Sequence, residues 1–271
     1  MGRRFLVIVA HPDDAEFEFG GTALKLVSKG DQVKFISVCN GDHGHHAMER
    51  KELAARRYLE TQSSAKISGV VEYEVFDISD CNLEVTLENR ERIMRAIRKF
   101  QPDVVISHRT CDYHADHRNV AQLVQDCAYL VMVPLYCPDV PVPPQNPVFA
   151  FCWDKFIDPR PFRFDVAVPI DDVLEKKYQL MNCHASQVYE WLPHINKFTD
   201  FEIGKEYTWE EKRAYLSRHW GARYELCAEQ GREMLIKLFG EKGKKFTQAE
   251  GFEISPYGRQ VSVEEFQSYF L

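Results

Sequence analysis

Arg4-Phe5-Leu6-Val7-Ile8-Val9-Ala10, followed at once by His11-Pro12-Asp13-Asp14, is the stretch on which the fold turns. An unbroken apolar run with no polar alternation predicts a strand covered on both faces. Downstream, Gly20–Lys29 reads as a helix that Gly30-Asp31 ends, and Gln32–Cys39 as a second strand. Met48–Ser68 reads as a helix with Gly69 just past its end, and Val71–Ile78 as a third strand. Thr86 is placed to cap the helix Leu87–Phe100, which Gln101-Pro102 stops. Val104–His108 is then a fourth strand and Asp116–Val131 a further helix. This alternation predicts an α/β fold: a single Rossmann-like domain with a mostly parallel sheet, right-handed crossovers and helices on both faces. Ligands of such sheets bind beyond the carboxyl ends of the strands.

The second half is less regular. Pro134–Pro147 holds six prolines and no helical period, which predicts a long connection acting as a lid, an edge insertion or a binding loop. Val148–Trp153 and Phe164–Val168 read as short strands and Asp171–His184 as a helix. Trp209–Phe239 reads as a long helical stretch broken near Gly221, and the tail from Phe246 as strand-like pieces. No repeat or linker divides the chain, so one domain over 1–271 is expected, with a Pro-rich insertion near 134–147.

Composition narrows the function. The 271 residues carry 34 Lys+Arg against 41 Asp+Glu, a net charge of −7, with 45% hydrophobic and 28% charged residues. These are ordinary globular values, and the acidic balance argues against an extended nucleic-acid surface. Eight scattered cysteines without a CxxC predict reduced thiols rather than a disulfide framework. The first apolar run is short for a secretory signal and ends in charges. No stretch of about 18 apolar residues exists to span a membrane. A cytoplasmic protein is expected.

Two clusters carry chemistry. His11-Pro12-Asp13-Asp14 follows the first strand, at the ligand-binding end of the sheet. Adjacent carboxylates repel, and an acidic pair there calls for a cation, a proton or open water. His with Asp suits a divalent metal of the zinc or iron type, leaving the other Asp free to act as a base. An exposed turn with a helix-capping Asp would explain this cluster on its own. His114-Ala115-Asp116-His117 follows the fourth strand. One of its histidines could ligate the metal while the other works as an acid, with an Asp orienting a ring. The residues alone do not choose between His114 and His117. Together the clusters supply the three ligands and open position of a catalytic zinc site.

Ala10–Asp14, Gly20-Gly21-Thr22 and His114–His117 together resemble the LmbE/PIG-L family of metal-dependent de-N-acetylases. Weaker pieces are similar as well: Arg57-Tyr58-Leu59-Glu60 with Gly69, Lys177, Leu180, His184, Ser186 and Gln187, and Gln248-Ala249-Glu250-Gly251-Phe252. The resemblance runs from about residue 5 to 253 and implies one divalent metal, zinc with ferrous iron as the alternative. It implies His11, Asp14 and His117 as ligands and Asp13 as general base. His114 becomes the protonated group facing the oxyanion, and Asp116 tunes it. The implied reaction is removal of an acetyl group from an N-acetylglucosamine-type sugar or conjugate by metal-activated water. Relatives of this kind make a homo-oligomer plausible. Two departures, Ala115 where Pro is frequent and Ala15 where Glu is frequent, remove no ligand.

Further candidates lie nearby. The loop Asn40–His46 follows the second strand, so His45 could line the substrate pocket, and Arg57 or Asp80 could bond a sugar hydroxyl. A buried ion pair or turn carboxylate is the competing structural reading of these residues. His184 either supports the site from behind or caps its helix. Tyr136, Trp153, Tyr189 and Trp191 could stack on a sugar, with core packing as the ordinary alternative. Competing functions are an amidase on another N-acylated small molecule and a non-catalytic nucleotide- or metal-binding α/β module. The nucleotide reading lacks GxGxxG and a P-loop, and the acidic pair would repel phosphate.

Overall fold

The structure, a computed structural model, describes residues 2–271. The apolar run forms β1 (Arg4–Val9), the centre of a sheet ordered β3-β2-β1-β4-β5-β7-β6. It is flanked by β2 (Gln32–Ser37) and β4 (Val104–Ser107), with β3 (Glu72–Val75) beyond β2 and β5 (Val148–Cys152) beyond β4, all running parallel. The edge is closed by β6 (Val166–Pro169) and β7 (Ala249–Gly258), with β7 antiparallel to both β5 and β6. Among the described residues the fold is therefore a seven-stranded, mostly parallel α/β sheet, as expected.

Alternate residues of β1 enter two cores. Phe5, Val7 and Val9 pack with Phe19, Ala23 and Leu26 of α1 (Asp14–Ser28). Leu6 and Ile8 pack with α3 (Leu87–Phe100) and α4 (Ala115–Leu130) on the other face. The strand order reverses between β1 and β4, which opens a crevice at their carboxyl ends. His11 and His114 follow those two ends. The helix α2 (Arg50–Ser68) closes on Gly69 at φ 77°, the left-handed C-cap that glycine accepts without strain. Thr86 caps α3, accepting from the Asn89 N–H at 3.2 Å.

Several expectations are corrected. The first helix starts at Asp14 rather than Gly20, so the glycine pair lies inside it. A Cβ at Gly21 would come within 2.7 Å of Ile170, so glycine here permits close packing instead of starting the helix. The late helical stretch breaks at Gly231, between α7 (Trp209–Gln230) and α8 (Arg232–Phe239); Gly221 lies within α7 beside the Tyr178 hydroxyl. Ahead of α7 come α5 (Leu174–Cys183), a π-helical turn (Ser186–Trp191) and the short α6 (Leu192–Asn196). The tail holds β7 and then a helix, α9 (Val263–Phe270), whose Phe270 ring meets Phe5 edge-on at 5.5 Å.

The Pro-rich connection joins α4 to the start of β5, at the end of the sheet opposite the crevice. It is no lid over that crevice. Buried Arg98 holds its first part, donating to the carbonyls of Leu130, Val131, Val133, Tyr136, Cys137 and Val140. Trp153 and Tyr189 are buried in apolar clusters, the ordinary packing role.

Candidate active site and metal centre

Proline after His11 and the sharp entry into α1 put Asp13 at the helix N-cap and Asp14 at its first residue. The Asp13 carboxylate makes no capping hydrogen bond, so the simple helix-cap explanation fails. The helix N-terminus favours both negative charges. His11 Nδ1 lies 3.2 Å from His117 Nε2 and 3.5 Å from Asp14 Oδ2, and His117 Nε2 lies 3.3 Å from that same oxygen. Tetrahedral ligands at about 2.0–2.2 Å from a zinc-type ion stand roughly 3.3–3.6 Å apart. The three donor atoms thus form the face of such a tetrahedron, and the donor chemistry fits a divalent ion.

Hydrogen bonds behind this triangle orient the rings. Asp116 is fully buried, and its Oδ2 takes a hydrogen bond from His11 Nε2 at 3.0 Å and from the Cys81 N–H at 2.8 Å. His11 therefore presents Nδ1 to the centre. The carboxylate of Asp116 serves His11 directly and lies 3.8 Å from His114 Nδ1, close enough to act on that ring through its charge. His114 itself caps α4: its Nδ1 accepts from the Asp116 N–H at 3.1 Å. Neutral His114 must then carry its proton on Nε2, which makes it a donor without a positive charge. Burial, followed by the neighbouring His11 and His117, lowers its pKa and supports this neutral form.

Two residues of the site escaped the sequence reading. Asp112 places Oδ1 3.2 Å from His117 Nδ1, behind the ring. His108 stacks on His117 at 4.1 Å and accepts from the Ala10 N–H, with its Nε2 3.6 Å from Asp14 Oδ2. His108 follows β4 as His11 follows β1, a positional signal that could have found it.

Electrostatics separates the two aspartates. Burial raises the pKa of Asp13, against the opposing pull of Arg57, whose Nη2 is 3.2 Å away. Burial also acts on Asp14, but His117, His108 and His11 outweigh it and hold that carboxyl well below the ordinary range. Burial disfavours the charged form of His11, yet Asp116 and Asp14 overcome it and lift the pKa to about 9. A dication among these groups would take over the role of those protons.

The three substrate candidates do not reach into the site as free groups. Arg57 is buried, donating to Pro12 and Gly41 carbonyls at 3.2 and 3.3 Å; a Cβ at Gly41 would lie 2.6 Å from its stem. Asp80 is buried and accepts from the Gly41 N–H at 2.8 Å. His45 uses Nε2 on Glu190 at 2.9 Å and Nδ1 on the Ala47 and Met48 N–H groups. Most of their polar atoms are engaged within the protein, while Arg57 Nε has no hydrogen-bond partner. His184 stands behind the site, its Nε2 3.0 Å from Glu16 with both side chains inaccessible to solvent. Glu250 accepts from the Gly21 and Thr22 N–H groups at 2.9 and 2.7 Å and pairs with Lys177, so it ties α1 to β7 and α5.

Residues 6–128 match the family profile described as PIG-L: GlcNAc-PI de-N-acetylase. The chain is 29% identical over 203 residues to diacetylchitobiose deacetylase of Thermococcus kodakarensis, covering 71% of this chain and 75% of that protein. It is 28% identical over 199 residues to 4-oxalmesaconate hydratase of Pseudomonas putida, covering 69% and 74%. The solved N,N'-diacetylchitobiose deacetylase from Pyrococcus horikoshii, in complex with its inhibitor MPG, shares the fold. Its TM-score is 0.71 at 22% identity, over 94% of this chain and 84% of that one. The matched stretch contains both motifs that meet at the crevice, so over residues 6–128 the chain is similar to the PIG-L (LmbE-like) family.

Proposed function

We propose that the chain is a metal-dependent N-deacetylase acting on an N-acetylglucosamine-type sugar or conjugate, with residues 1–271 working as one unit in the cytoplasm. The observation that carries this reading is the donor triangle of His11, Asp14 and His117 beside an uncapped, buried Asp13. These three residues would hold the ion, zinc in preference to ferrous iron. When bound, it supplies Lewis acidity that polarises the amide carbonyl and makes water nucleophilic near neutral pH. Asp13 removes a proton from the attacking water. Neutral His114 donates from Nε2 to the oxygen that gains negative charge. Asp13 then delivers its proton to the departing nitrogen, which leaves as a primary amine beside acetate. Arg57 positions Asp13 and keeps its carboxyl from rising further. Asp116 and Asp112 hold the two ligand rings.

One observation favours a second reading. The hydratase relative is nearly as similar as the deacetylase, so the same centre could add water to a carbon–carbon double bond of an unsaturated acid. One experiment separates the two. Metal-quantified protein is incubated with N-acetylated sugars and with conjugated unsaturated acids, with and without a chelator. Chelator-sensitive amine and acetate release supports the deacetylase. Loss of the conjugated ultraviolet absorbance without amine release supports the hydratase and overturns the first reading.

A further inference from the structure

Around Asp116 the structure gathers donors beyond those of the His11–Asp14–His117 triangle. Donor atoms of Cys81, His114 and Asp116 all lie within 4.8 Å of one another, and those of Cys39, His11 and Asp116 do the same. Asp116 is common to both groups. Its Oδ2 is engaged by His11 and the Cys81 N–H, but its Oδ1 is buried with no hydrogen-bond partner. A buried carboxylate oxygen without a donor is rare in a folded protein and calls for a cation, proton or water. Cys81 is exposed where Cys39 is buried, so only Cys81 offers a thiol that an incoming ion can reach. Its backbone sits at φ 65°, a region non-glycine residues seldom occupy, and its N–H points to Asp116. Thiolate, imidazole and carboxylate make a donor set suited to zinc-class and softer ions.

We propose that Cys81, His114 and Asp116 form a second, weaker site for a thiophilic divalent cation of the zinc class, separate from the His11–Asp14–His117 triangle. It is weaker because His114 Nδ1 and Asp116 Oδ2 stand 3.8 Å apart, against 3.2–3.5 Å between the donors of the triangle, and must close before they can share an ion. An ion there takes a ring nitrogen of His114. It either withdraws the Nε2 donor or breaks the Nδ1 cap that orients it. If the proposed reaction holds, excess zinc therefore inhibits through Cys81, but the binding claim itself does not depend on turnover.

Cadmium is the probe. Apoprotein is titrated with Cd²⁺ under equilibrium dialysis while the ultraviolet thiolate-to-cadmium charge-transfer band is followed. The first equivalent should enter the sulfur-free triangle without a band, and the second should bring the band. Cys81→Ser should lose both the band and the second equivalent while keeping the first, which also reports that the variant is folded. Cys39→Ser should keep the band, and His114→Ala should lose the second equivalent. A band with the first equivalent, a band that survives Cys81→Ser, or a second equivalent that brings no band would overturn the proposal.

Discussion

Arg98 and Arg57 are both buried, at opposite ends of the same sheet, and their surroundings differ in kind. Arg98 lies below the amino end of β5 and donates to six backbone carbonyls, with no carboxylate nearby in its contacts. Arg57 lies beside the crevice, its contacts stretched to 3.2–3.7 Å and its Nε left without a partner. Near Arg57 other buried polar atoms also lack hydrogen-bond partners: Asp116 Oδ1 and His184 Nδ1. A network whose donors are all used rigidifies the fold, and one left incomplete retains capacity for a ligand or a proton. Burial of charge alone therefore does not distinguish structure from function. Satisfaction does.

The strongest way to break this contrast is at the incomplete end. Asp14→Ala and His117→Ala should each lose bound metal and with it nearly all turnover, as measured by metal content and amine release. Asp116→Asn should keep the fold but weaken metal affinity by about 10–100-fold, because it loosens the support of the His11 ring. At the satisfied end, Arg98→Met should cost roughly 3–5 kcal/mol by denaturant unfolding, since it strands several buried carbonyls. Activity per folded molecule should stay unchanged. If Arg98→Met altered turnover and left stability alone, the comparison would be wrong.

A smaller effect sharpens it. Asp13 must be ionised to act, so activity falls as pH drops through its pKa. Burial already raises that value and Arg57 opposes the rise. Arg57→Gln removes the opposing cation, so the acid limb of the kcat/KM profile should move to higher pH. A limb that stays in place beside a lower Tm would make Arg57 purely structural. His45→Ala should be the mildest change, confined to stability, because its ring bonds only Glu190 and nearby backbone.

Much of the fold was legible because β1 is unbroken and the strands alternate with helices. The two clusters were legible because they sit beside strand ends, where a parallel sheet exposes its crevice. Other features depended on contacts far apart in sequence. Asp116 lies two residues from His114 in the chain but reaches across to His11, and no local pattern encodes that choice. Arg98 sits among the apolar residues Ile93, Met94, Ala96 and Ile97 and gives no sign that a later loop will wrap it. Arg57, Asp80 and His45 share the ligand edge, but their partners within the protein come from other elements. The proline count of 134–147 marked an irregular segment without indicating which end of the sheet it occupies.

The central claim is that one aspartate of the adjacent pair holds the ion and the other handles the proton. Asp13→Ala tests it most directly, with bound metal and the rate of amine release measured on the same sample. The account predicts one equivalent of metal retained and a rate reduced by about 10²–10⁴-fold. Metal lost along with activity, or activity kept at the parent level, would contradict it.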